Sequence, residues 1–183
     1  ETDVSMKYRW VVVEVYDLND LTALAAIPEV GMVKPQYRPL VQRAGVADSR
    51  ADRALGTAGA VSGGLTGAGV QVGILSDSFA RTDLVRDADT VPAPGLAGTL
   101  TGARNQDSGD LPPQVQILRD DWLGTDEGAA MAELVHDIAP GAAISFHTAL
   151  GGQSVFADGI GRLRSNGAHI IVDDVVYFDE PFY

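Results

Sequence analysis

Four acids stand where a folded chain could put carboxylates to chemical use: Asp77 in Ser76-Asp77-Ser78, Glu127 in Asp126-Glu127, and the pair Asp173-Asp174. Each adjoins an apolar run that reads as a strand or as the start of a helix. An ionised carboxylate in such a place can act as a general base, orient a neighbouring base or hold a cation. In open parallel sheets, ligands and catalytic groups gather beyond the carboxyl ends of the strands.

Glu127 is the most informative of the four. Met131, Leu134, Val135 and Ile138 recur at helical spacing and define the expected buried stripe of one helix. Glu127 lies four residues before Met131 and so shares that inward face. Thr125 or Asp126 can cap the helix, which leaves Glu127 in its first turn. There the helix dipole favours the ionised side chain, as suits a base that works at low pH. Position alone fits equally well an acid that merely decorates a helix N-terminus. Asp77 has a similar double reading, as a catalytic group or as a turn former beside two serines. Two adjacent acids ending a buried strand, Asp173 and Asp174, are costly unless paired or solvated. A calcium or substrate role for them stands beside the simpler reading of a solvated strand end.

Other chemistry is poorly represented. His136 falls off the apolar stripe and is expected at the surface, and His147 and His169 flank strands without metal-ligand spacing. The glycines between Gly63 and Gly69 precede a strand, whereas a dinucleotide fingerprint places them after one. No G-x-S-x-G nucleophile elbow occurs. The chain has no cysteine, which removes disulfides, zinc ribbons and thiol nucleophiles.

The elements that must position these acids follow from pattern. Residues 9–16, RWVVVEVY, read as a strand, 21–27 as a short helix stopped by Pro28, and 30–33 as a second strand ended by Pro35. This β-α-β piece, 1–45, is too small to bury a core alone. A connector rich in Gly, Ala, Ser and Arg, 46–66, holds a weak helix. From 67 to 183 the pattern becomes strand (70–75), long loop (80–113), strand (115–118), helix (127–138), strand (142–147), helix (154–164) and strand (169–173). Asn166-Gly167 supplies the C-cap of the second helix. Alternation of this kind implies an α/β fold, a parallel sheet with helices on both faces.

Composition sets outer bounds. The chain has 183 residues, 45% hydrophobic and 21% charged, which is globular composition. A net charge of −12 argues against a nucleic-acid partner. No apolar run reaches the roughly 18 residues of a membrane span. Glu1-Thr2-Asp3 lacks the basic and apolar regions of a signal peptide, so a secreted precursor would already have lost that segment.

Two segments resemble a known pattern. GLTGAGVQVGILSDSF at 64–79 is similar to the entry of a subtilase catalytic domain, where a glycine-rich turn leads into the strand that ends in the catalytic aspartate. DEGAAMAELVHDIAPGAAISFHTA at 126–149 is similar to the subtilase segment that carries the catalytic histidine and runs on to an APGA turn. Glu127-Gly128-Ala129 here replaces the usual His-Gly-Thr, and glutamate at that place marks the sedolisins, the serine-carboxyl peptidases of the same clan. Residues 9–35 resemble, more weakly, the C-terminal half of a subtilase propeptide.

The resemblance implies a secreted or periplasmic serine endopeptidase acting on polypeptides. Glu127 would be the general base, Asp77 its orienting partner, and Asp174 a cleft residue that touches substrate or shares a proton with Glu127. No cofactor is implied, although calcium is compatible, and neither nucleic acid nor membrane is expected as a partner. Two departures stand out: Ser76, not Asp77, keeps the strict register, and Met131 occupies the place of the family's second acid. The family's Gly-Thr-Ser nucleophile matches nothing in these residues. The chain therefore reads as an N-terminal part, inactive until joined by the remainder of its catalytic domain. A subtilase-fold pseudoenzyme or binding module is the first alternative. A nucleotide- or small-molecule-binding α/β domain is the second, though Glu127 in a first turn would repel an anion there.

Overall fold

The computed structural model describes residues 3–7, 9–35, 50–81 and 91–178. Two short strands, β1 (Asp3–Ser5) and β2 (Trp10–Val12), pair antiparallel and precede a six-residue helix, α1 (Asp20–Ala25). The expected β-α-β order is therefore corrected to a hairpin followed by a helix. Val30–Val33 is no strand: a turn closes into it, with the Val30 amide bonded to the Ile27 carbonyl at 3.0 Å, and the residues that follow pair with no strand. The expected boundary near residue 45 lies outside the described residues.

The connector holds two short helices, α2 (Ala51–Ala54) and α3 (Ala58–Ser62). Helix α2 packs on the helix that carries Glu127, so this stretch belongs to the body of the fold.

A five-stranded sheet follows, built from β3 (Gln71–Ser76), β4 (Gly98–Leu100), β5 (Val115–Arg119), β6 (Ala143–Thr148) and β7 (Ile170–Asp173). Its order is β4-β5-β6-β3-β7. Pairs β5–β6, β6–β3 and β3–β7 are parallel, but β4 runs antiparallel to β5. The sheet is thus mixed, not purely parallel. The antiparallel edge comes from within the stretch expected to be one long loop, which also contains a one-turn helix, α4 (Arg104–Asp107).

Helices α5 (Glu127–Ile138) and α6 (Gln153–Ser165) are the crossovers β5-α5-β6 and β6-α6-β7. They pack on opposite faces of the sheet, whose strands present alternate side chains to each. On one face Ile74, Ile144, Phe146 and Ile117 join Ala129 and Ala132 of α5 in a core that also takes in Phe79, Leu100 and Leu111. On the other, Gly73 faces Leu163 of α6, and Gly159 of α6 sits over Leu75 and His147.

The inward face of α5 differs from the expected apolar stripe. Its buried residues are Glu127, Gly128, Ala129 and Ala132, while Met131 and Val135 pack at the margin and Leu134 is 41% exposed. Small residues let the helix lie close on Phe146. Glu127 does face inward, as expected. His136 is half-buried with a shielded Nδ1, a correction to its expected surface place. Among the described residues no helix is long and apolar enough to cross a membrane.

His147 is fully buried beneath α6, and its Nδ1 lies 2.7 Å from the Thr148 carbonyl oxygen. Burial pushes its pKa from 6.5 down to about 4. The folded state therefore prefers the neutral ring. Stability from this preference is complete above the unfolded value of 6.5 and is lost as pH falls through about 4. The loss is expected to be about 3 kcal/mol. Urea titrations of the wild type and His147→Leu between these pH values should show the wild type losing more stability, and parallel losses would refute the assignment.

Candidate functional site

The carboxyl ends of β3 and β6 meet at Ser76 and Thr148, which are paired in register. After β3 the chain passes to the face covered by α5, and after β6 to the face covered by α6. The crevice between these two ends is therefore a topological switch point, where open α/β sheets place their ligands. Asp77 lies at its floor, held by a 2.6 Å bond from the Thr148 hydroxyl to the Asp77 carbonyl. A second bond runs from the Ala149 amide to the Ser76 carbonyl, also at 2.6 Å.

The Asp77 side chain is buried and reaches across to the turn that opens α5. Its Oδ2 accepts the Thr125 amide at 2.6 Å and the Thr125 hydroxyl at 2.7 Å. Its Oδ1 accepts the Glu127 amide at 3.1 Å and the amide of Ser78. Asp77 is thus the N-cap of α5 supplied from another element. The residue at the cap position, Asp126, has a left-handed backbone at φ 62° and makes no capping bond of its own. Its carboxylate instead accepts the Ser78 hydroxyl and the Arg81 amide, each at 2.8 Å.

Ser78 closes the clamp from the opposite side. Its Oγ accepts the Asp126 amide at 2.9 Å, and its carbonyl accepts the Gly128 amide at 3.1 Å. Two glycines make this approach possible. A Cβ on Gly124 would stand 2.0 Å from Ser78 Oγ, and one on Gly128 would stand 2.4 Å from Phe146 Cε2 and 2.7 Å from the Ser78 carbonyl oxygen.

A further acid extends the network. Asp120, at the end of β5, accepts the amides of Phe79 at 2.9 Å and Ala80 at 3.1 Å and pairs with Arg81 Nη2 at 2.7 Å. Burial raises its pKa, an effect that the Arg81 guanidinium opposes. Asp120 and Thr148 were not expected from the sequence, and Asp126, expected as a candidate cap, instead turns its carboxylate to Ser78 and Arg81. A signal for Asp120 existed, because Asp120-Asp121 follows a strand just as Asp77 does.

The structure brings Asp77 and Glu127 together, and the contact it displays is between a carboxylate and a backbone amide. Glu127 is buried at the first position of α5. Asp174 follows β7 on the other side of β3, one residue past the pairing of Leu75 with Asp173. Its carboxylate oxygens are shielded from solvent, so a solvated strand end describes Asp173, which is exposed, but not Asp174. Among the described residues no group of three or more His, Cys, Asp or Glu could hold a metal ion, and no calcium site is assigned. No protein family, curated protein or solved structure matches the chain.

The clamp makes Asp77 and Gly128 testable. Asp77→Ala leaves the amides of 125 and 127 without their acceptor and should cost about 2 kcal/mol, with Asp77→Asn recovering part of it. Hydrogen exchange should then quicken at residues 125–128 ahead of the rest of α5, and uniform exchange would contradict the cap. Gly128→Ala should cost about 2 kcal/mol in urea unfolding through overpacking on Phe146 and Ser78.

Proposed function

We propose that these residues form the acid-bearing part of a serine endopeptidase of the subtilase clan, in its sedolisin-like branch. The observation that carries this reading is the meeting of buried Asp77 and buried Glu127 at the switch point of the sheet. It adds to the resemblance of 64–79 and 126–149 to the family's two catalytic segments.

In this reading the nucleophile is a serine supplied by polypeptide outside the 183 residues. The Glu127 carboxylate takes the serine hydroxyl proton as Oγ attacks the substrate carbonyl carbon. The same proton passes to the leaving amine as the peptide C–N bond breaks, leaving an acyl ester on the serine. Water then attacks the ester, with Glu127 again accepting and returning a proton. Asp77 is a positioning residue, since it fixes the turn from which Glu127 projects. In this reading Asp174 shares a proton with Glu127 or touches substrate.

A second reading rests on one specific observation. The Asp77 carboxylate is engaged by four donors of its own fold, so its presence is explained without catalysis. That favours a binding module that keeps the fold.

The full-length gene product decides between them. It should hydrolyse unfolded protein substrates with an optimum below neutral pH, and Glu127→Gln should lower kcat by about a thousandfold while leaving KM within a few-fold. An optimum above neutrality, or full activity in Glu127→Gln, would refute the peptidase mechanism. Absence of hydrolysis with retained peptide binding would favour the module.

A further inference from the structure

The segment that joins β4 to β5 is knit together by its own side chains. Gln106 Oε1 accepts the Ala103 amide at 2.9 Å, and its Nε2 donates to the carbonyls of Leu100 at 3.2 Å and Pro112 at 2.9 Å. The Leu111 amide closes back on the Asn105 carbonyl at 2.8 Å. From this compact unit Asn105 reaches to α5. It is 5% exposed, and its Nδ2 donates to Glu133 Oε1 at 3.0 Å.

That bond uses only half of the side-chain amide. Asn105 Oδ1 is buried and accepts no bond among the described residues. A buried amide oxygen without a donor is costly, and an ionised carboxylate beside it has no proton to offer. Glu133 is half-buried, and burial raises its pKa. The bond from Asn105 works against that rise, and the charges of Asp110 and Asp137 add to it.

The other charges around Glu133 do not offset its ionisation. His136 stands one turn on in α5, and burial pushes its pKa below 6.5, so it brings no charge at neutral pH. Helix α2 also packs on α5, and the one charge among its described side chains is the exposed Arg53. Beneath α5, His147 of β6 is turned to the opposite face of the sheet.

We propose that the neutral Glu133 carboxyl and the Asn105 amide close a two-bond ring, a latch that holds α4 against α5 in acid and opens as Glu133 loses its proton. In the closed form Oε1 keeps the bond from Nδ2, and Oε2 donates its proton to Oδ1. Both amide atoms are then satisfied. As pH rises the proton leaves to water, Oδ1 is orphaned, and the carboxylate faces two like charges. The latch is complete below the ordinary value of 4.5 and is lost as pH rises through the raised one. Leu100, Ala103 and Leu111 belong to the core, so opening loosens α4 without unfolding the segment. The latch needs neither nucleophile nor substrate and stands independently of the peptidase reading.

Crystal structures at pH 4.5 and at about pH 8 read the ring directly. At the lower pH Oε2 should lie about 2.7 Å from Oδ1, and at the higher it should have left hydrogen-bond reach. An Oε2 position that does not change, or a water molecule on Oδ1 at both pH values, would overturn the latch. Hydrogen exchange at the Ser108 and Leu111 amides, corrected for its intrinsic pH dependence, supplies a solution readout. Protection should fall about tenfold in the wild type across the same interval. Glu133→Gln carries a permanent donor in place of the proton and should keep the protection at both pH values. Glu133→Met is neutral but has no donor, and its protection should be low at both. Equal protection in the two variants would assign the effect to charge alone and would also overturn the latch.

Discussion

The structure depends on one carboxylate serving an element far from it in sequence. Asp77 ends a central strand and caps a helix that begins fifty residues later, and with Ser78 it forms a two-way clamp. Helix N-termini leave amides without intrahelical partners, and a buried N-terminus without a cap is costly. Asp126, which the sequence places at the cap, turns its carboxylate to Ser78 and Arg81 instead. The left-handed backbone at Asp126 is tolerated because bonds on both sides over-determine it. Removing Asp77 would therefore free the turn that holds Glu127, not just one contact.

Three buried acids cluster around the chain from Ser76 to Arg81, a costly arrangement in a low-dielectric interior. Asp77, Asp120 and Asp126 meet the cost mainly with backbone amides: Ser78, Thr125 and Glu127 for the first, Phe79 and Ala80 for the second, Arg81 for the third. Fixed amides need no side-chain ordering, and the Asp120–Arg81 ion pair adds to them at one acid. Gly124 and Gly128 are its steric condition, since any side chain there would push the helix turn off the strand end. A ligand arriving at this edge meets groups already oriented, which is the physical requirement for electrostatic preorganisation.

Much of this was legible in the sequence, for identifiable reasons. The runs VQVGIL and AAISFH, and the helix from Glu127 to Ile138, have strong periodicity, and their elements lie within a residue or two of expectation. Strand β4 escaped because three residues amid Gly and Pro carry no pattern and their pairing with β5 is long-range. Val30–Val33 misled because β-branched residues favour a strand only where a partner edge exists. Leu134 lies outward despite its hydrophobicity because close approach to Phe146 selects the small residues of α5. In the site, acids at strand ends were readable singly. That Asp77 would cap α5 was not, because the bond joins elements 48 to 50 residues apart.

Proton binding sets opposing demands on this fold. His147, with its pKa near 4, loses stability as pH falls from 6.5. Asp120 and Glu133 run the other way, because burial raises both, so the folded state binds their protons more readily than the unfolded chain does. Their penalty is absent at low pH and grows as pH rises through their raised values. On acidification the histidine therefore destabilises the fold while the two acids are relieved of their penalty. Under the proposed chemistry, the working range is limited from below by the fold beneath α6, where His147 resists protonation.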